Sequence, residues 1–256
     1  MAVEVAMLAA ALGFGALAIR HWRAQGKPVL RGLGLGWDRR ARRDLIAGVA
    51  ISSLAMLGIF AVEAAAGAIA TMPLAQQSWG ELGSWFLGKA AASVKEEILM
   101  RGLLLSGLVL ALRERRLPAI LLSAIAFGCI HLSNPGATWL SVLGNGLGGV
   151  IYGVAFLFAG SLWLAIGLHF AWNFVQGPVL GFPVSGMAAG GLQQVHDLGP
   201  AWLTGGAYGP EAGLVGIAFR FVIIALVLVW LKSTWRNGTR HANLAANAPD
   251  ERGTHA

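Results

Sequence analysis

The sequence predicts an all-α protein, a polytopic membrane helix bundle of about seven transmembrane helices. Hydrophobic residues make up 56% of the 256 and charged residues 12%, against roughly 45–50% and about 25% in soluble domains. Mean hydropathy is +0.66. Apolar stretches close to the ~20 residues that a spanning helix needs recur along the chain.

The spans read as 2–19, 45–70, 82–112, 117–133, 139–160, 161–177 and 212–231. The first is a retained helix rather than a secretory signal, because its N-terminal flank carries Glu4 and no Lys or Arg. Between it and the second lie Arg20, Arg23, Lys27, Arg31, Arg39, Arg40, Arg42 and Arg43, eight of the nineteen basic residues, so this connection is expected in the cytoplasm. Threading the seven spans from there puts Arg113, Arg115, Arg116, Lys232, Arg236, Arg240 and Arg252 on the same side. The opposite connections, 71–81, 134–138 and 178–211, hold no Lys or Arg. The chain is therefore expected in the cell membrane, a bacterial inner membrane by its Ala- and Gly-rich composition, with the N-terminus outside and the C-terminus cytoplasmic.

The net charge of +7 is explained by this orientation, which makes the lipid bilayer the partner and leaves no case for nucleic acid. Three regions follow: 1–79 with two spans and the basic loop, 80–231 as the core, and 232–256 as a polar, disordered tail. Gly144 and Gly148, four apart in the fifth span, suit close helix packing in lipid. One cysteine, Cys129, rules out an intrachain disulfide and a four-Cys zinc module.

Ionisable groups at membrane depth carry the functional signal, since inserting a charged one costs at least ~2.5 kcal/mol. Glu63 and Arg220 are isolated and read as structural. The dense cluster is Lys95-Glu96-Glu97-Ile98-Leu99-Met100-Arg101. On a helix Glu97 and Arg101 share a face and neutralise each other, which leaves Glu96 turned about 100° away and unpaired. His131 lies four residues after Phe127 and just before the helix-breaking Asn134-Pro135-Gly136; His169 and Asn173 are again four apart. A carboxylate held out of water becomes a usable base near neutral pH. A neutral His shares that water or holds a metal, and His and Asn side chains are donors that suit an oxyanion. Together these groups suggest hydrolysis of an amide or ester bond by activated water; no Ser or Cys stands as an evident nucleophile.

The chain resembles the CPBP family of intramembrane proteases, the CAAX protease and bacteriocin-processing or Abi group. The resemblance rests on Glu-Glu-x-x-x-Arg at Glu96–Arg101, Phe-x-x-x-His at Phe127–His131 and His-x-x-x-Asn at His169–Asn173. The stretch from Thr204 to Glu211 also resembles a Gly-Gly-x-x-Gly-Pro-Glu segment of bacterial members. The likeness covers roughly residues 80 to 231. It implies that Glu96 and His131 activate water and that His169 and Asn173 form an oxyanion hole. Glu97, Arg101 and Phe127 are then supporting residues, and the substrate is a peptide or a membrane-anchored protein. The residues call for no cofactor; zinc stays open, with Glu96, His131 and His169 as ligands and water as the fourth. Glu96 stands 17 residues before Arg113 and His131 stands 14 after Leu117, so both lean towards the outer half of the membrane. Two other functions suit the same charges. One is a non-enzymatic immunity or scaffold protein of the same fold; the other is a small transporter, against which stands the lack of repeat symmetry and of paired broken helices.

Overall fold

The computed structural model describes residues 2–73, 79–188 and 190–246, with side chains described up to residue 234. Helix α1 (Ala2–Ala24) and the short α2 (Val29–Gly32) lead to α3 (Arg39–Ala65). Asp38 caps α3 by accepting a hydrogen bond from the Ala41 backbone N–H at 2.7 Å. After strand β1 (Ile69–Pro73), α4 (Trp79–Glu97) runs without a break through a π-helical stretch, Ile98–Leu105, into α5 (Ser106–Ala111). Helix α6 (Arg116–Ile130) ends in a 3₁₀ turn, His131–Ser133. Helix α7 (Trp139–Ala159) starts on a capping box between Thr138 and Ser141 and stops at Gly160, whose φ is 72°.

Helix α8 (Trp163–Phe174) continues as a π-helical turn, Val175–Val179. The segment that follows contains β2 (Gln193–Asp197), α9 (Ala201–Thr204) and two 3₁₀ turns, and α10 (Leu214–Ala246) ends the described chain. Strands β1 and β2 pair antiparallel, Ile69 opposite Asp197 and Pro73 opposite Gln193. The expected tail is thus helical from 232 to 246, while 247–256 lies outside the described residues.

Five helices among the described residues are long and apolar enough to cross a membrane: Val3–Ala24, Arg39–Ala65, Arg116–Ser133, Trp139–Ala159 and Leu214–Thr234. The expected count of seven is not confirmed by length and composition, for two separate reasons. The helix expected at 82–112 is long, but Lys89, Lys95, Glu96, Glu97 and Arg101 make it too polar to face lipid as a free span. The helix expected at 161–177 has only 12 α-helical residues, about 18 Å of rise against the ~30 Å hydrocarbon core.

Helix α8 is short because it is central, packed among α3, α4 and α7. Its contact with α3 brings backbone almost onto backbone: a Cβ at Gly167 would stand 2.4 Å from the Leu45 carbonyl oxygen, and one at Gly48 2.5 Å from that of Leu164. Small residues at such a crossing replace hydrophobic drive with close van der Waals contact. Around the outside, Leu54, Leu117, Ile125, Phe221 and Val229 are exposed, as a bundle bathed in lipid requires. The fold is therefore the predicted all-α membrane bundle, with one two-stranded pairing added at one end of it.

Candidate active site

The first motif straddles the change from α-helix to π-helix after Glu97. Such single π-turns occur disproportionately at functional sites. Glu97 and Arg101 are both fully buried, and Arg101 Nη1 donates to Glu97 Oε1 at 3.1 Å, the pairing their spacing predicted. Arg101 Nη2 donates to the Gly149 carbonyl at 3.4 Å. Its guanidinium lies over the Phe127 ring at 4.4 Å and the Tyr152 ring at 5.0 Å. Charge, hydrogen bond and ring faces together make burying this guanidinium tolerable.

The buried pair extends to α8. His169 Nδ1 donates to the same Glu97 Oε1 at 2.7 Å, which turns Nε2 towards Glu96 Oε2, 3.8 Å away. That distance is beyond a hydrogen bond. The Glu96 side chain, 29% exposed, is the carboxylate of the two that water reaches. Tyr152 stacks flat on the His169 ring, with centroids 4.9 Å apart.

His131 opens the 3₁₀ turn at the end of α6, and its Nδ1 is 2.7 Å from the Phe127 carbonyl oxygen. A carbonyl only accepts, so Nδ1 carries the hydrogen and the neutral ring keeps its lone pair on Nε2. Phe127 therefore acts twice: its carbonyl fixes the His131 tautomer, and its ring packs edge-on against His131 at 4.8 Å and His169 at 5.9 Å.

One cavity of about 160 Å³ is lined by Glu96, His131, His169 and Asn173 together. Four residues from three separate stretches of sequence thus meet at one space. Among the described residues no three His, Cys, Asp or Glu side chains are placed to hold a metal ion. In the set Glu96, His131 and His169, Glu97 holds His169 Nδ1 and the Phe127 carbonyl holds His131 Nδ1, so any metal ligation by these imidazoles would run through the two Nε2 atoms.

The same cavity is lined by residues the motifs do not include: Lys89, Asn145, Tyr152, Ser185, Glu211 and Arg220. Glu211 is 1% exposed. It accepts from Gln176 Nε2 at 2.7 Å, Ser185 Oγ at 3.2 Å and Trp172 Nε1 at 3.4 Å. Burial pushes its carboxyl above the ordinary value of 4.5, although these donors pull the other way. Arg220, read from sequence as an isolated structural charge, lies with its guanidinium 3.4 Å from the Trp172 ring centre and donates to Tyr152 Oη at 3.4 Å. The other such charge, Glu63, is fully buried with neither oxygen hydrogen-bonded among the described residues. A sequence signal did exist for Glu211, which ends the Gly-Gly-x-x-Gly-Pro-Glu-like stretch; Tyr208 of the same stretch accepts from Asn145 Nδ2 at 2.9 Å through its hydroxyl.

The site is that of a helical membrane bundle with a carboxylate, two imidazoles and an amide converging on a small polar chamber. Residues 78–175 match the family model of the type II CAAX prenyl endopeptidase Rce1-like proteins, which bears out the resemblance drawn from the three motifs. No curated protein and no solved structure matches the chain. The matched segment, which holds all three motifs, is similar to this family of peptide-bond hydrolases.

Proposed function

We propose that the protein is an intramembrane endopeptidase in which Glu96 is the general base. The observation that carries this reading is the convergence of Glu96, His131, His169 and Asn173 on one cavity of about 160 Å³. Glu96 takes a proton from water as the water oxygen bonds to the scissile carbonyl carbon. His131 Nε2, left with its lone pair by the Phe127 carbonyl, accepts the second water hydrogen and orients the attack. The carbonyl oxygen becomes an oxyanion that accepts hydrogen bonds from the Asn173 amide and from the Nε2–H of His169 in its imidazolium form, whose Nδ1–H stays on Glu97. As the C–N bond breaks, the proton held by Glu96 passes to the leaving amine. Glu97, fixed by Arg101, holds the His169 ring in register through Nδ1.

The experiment is proteolysis of a peptide library by the detergent-purified protein. Glu96→Gln is expected to lower kcat by about 10²- to 10⁴-fold, the usual worth of a general base, with thermal melting unchanged. Wild-type activity is expected to persist in a strong zinc chelator, because no three His, Cys, Asp or Glu side chains are grouped for a metal among the described residues; loss of activity restored by zinc would assign Glu96, His131 and His169 as ligands. A Glu96→Gln variant that cleaves at the wild-type rate would falsify the reading. A non-enzymatic scaffold predicts instead no cleavage by the wild type or the variant.

A further inference from the structure

Glu96, His131 and Asn134 line two cavities at once. The inner one is the chamber of about 160 Å³ described above. The outer one has about 360 Å³, with Glu4, Met7, Leu8 and Ala11 of α1 on one side and Lys95, Leu99, Met100 and Ile130 on the other. The two volumes suit different contents. At ~30 Å³ per water the inner chamber holds about five waters, too little space for a peptide. The outer cleft falls within the ~300–1,000 Å³ of ligand pockets.

Helix α1 is a fixed wall of that cleft. Ser133, in the 3₁₀ turn that begins with His131, donates through Oγ to Glu4 Oε1 at 2.7 Å, so the outer end of α1 is tied to the turn that carries His131. Further along, the helix backbone lies against α5: a Cβ at Gly107 would stand 2.1 Å from the Phe14 carbonyl oxygen. The family match begins at residue 78 and leaves α1 out, so the wall is a feature of this chain beyond the matched core.

We propose that the outer cleft seats the substrate and that Met7, Leu8 and Ala11 of α1 set its specificity, accepting a large apolar side chain next to the scissile bond. The inference rests on the endopeptidase reading. It assigns the substrate's side chain to the outer cleft and the attacking water with the scissile carbonyl to the inner chamber, with Glu96 and His131 lining both. Met7, Leu8, Ala11, Leu99, Met100 and Ile130 form a continuous share of the lining, with Glu4 and Lys95 as charged members besides Glu96, and a side chain seated on the apolar share loses least when it is itself apolar.

The test uses the full chain in detergent and peptides that differ only beside the cleaved bond, Ala against Leu against Trp. Leu8→Trp and Ala11→Trp fill the cleft and are expected to lower kcat/KM for the Leu peptide by about tenfold or more, the scale of discrimination by pocket size. The loss is expected mainly in KM, with the Ala peptide nearly unaffected. Met7→Ala and Leu8→Ala widen the cleft and are expected to shift preference from Leu towards Trp, which keeps the test open if the bulky variants fail to fold. Unchanged Ala:Leu:Trp ratios in all four variants, alongside an inactive Glu96→Gln, overturn the assignment of the cleft and leave the endopeptidase reading standing. Full activity in Glu96→Gln overturns that reading, and the inference with it.

Discussion

Glu97 Oε1 serves two donors, Arg101 Nη1 and His169 Nδ1, in a place that water does not reach. Removing one member of a buried charge pair leaves the other uncompensated and costs about 3–5 kcal/mol. Arg101→Ala is therefore expected to lower the melting temperature in detergent by many degrees and to reduce kcat, because the anchor of His169 loosens with it. Arg101→Lys keeps the charge but loses the planar stacking on Phe127 and Tyr152, and should fall between wild type and Arg101→Ala in both measurements. The Glu97–Arg101 half of this arrangement was legible in sequence, since four-residue spacing on a helix puts two side chains on one face. The His169 half was not: 72 residues separate it from Glu97, and no local rule relates them.

At the scale of elements, the stretch between α8 and α10 places Glu211 and Ser185 at the chamber, where sequence offered a segment without Lys or Arg and, at Thr204 to Glu211, a likeness to a Gly-Gly-x-x-Gly-Pro-Glu stretch with no role attached. Its path depends on glycines. Gly209 has φ of 102°, a conformation costly for any residue with a Cβ. Gly144 on α7 lets the Glu211 backbone approach so closely that a Cβ there would meet the Glu211 carbonyl oxygen at 1.8 Å. Gly144→Ala is expected to push Glu211 off its donors, lowering both melting temperature and activity. Gly146→Ala on the same helix meets nothing nearer than 3.6 Å and should be close to wild type, which separates displacement from a general effect of alanine.

Glu211 also links this segment to pH. Its folded carboxyl titrates above the ordinary value of 4.5 because it is buried, so the folded state binds more protons than the unfolded one between those two values. The stability it contributes is complete below about 4.5 and is lost as pH rises through the folded value. Melting temperature measured from pH 4 upwards is expected to fall across that window in wild type. Glu211→Gln should flatten the slope; an unchanged slope would mean that other groups dominate.

For the molecule as a whole, fifteen basic residues gather in the connections and tail that one threading puts on a single side, and none in the connections opposite. That asymmetry predicts a cytoplasmic C-terminus. A fluorescent protein fused there should fluoresce in a bacterial host, whereas alkaline phosphatase at the same point should stay inactive; the reverse result would invert the orientation. Helix α8 does not carry this signal. It is held inside the bundle by α3, α4 and α7, and its length answers to those neighbours rather than to the bilayer.

Composition and short-range spacing are properties of the chain itself, and what depends on them was determined by sequence alone: the membrane class, the helical fold, the three motifs and the family they point to. Tertiary structure decided what depends on contact between distant residues. It made the helix at 163–174 a buried centre of the bundle, tied His169 to Glu97, and brought Tyr152, Glu211 and Arg220 to the chamber. It also set α1 across the outer cleft, beside Glu96 and His131. These contacts follow from how closely helix backbones approach at Gly48, Gly144 and Gly167. Such crossings are set by the shapes of two surfaces meeting, and neither surface is written in the spacing of one segment.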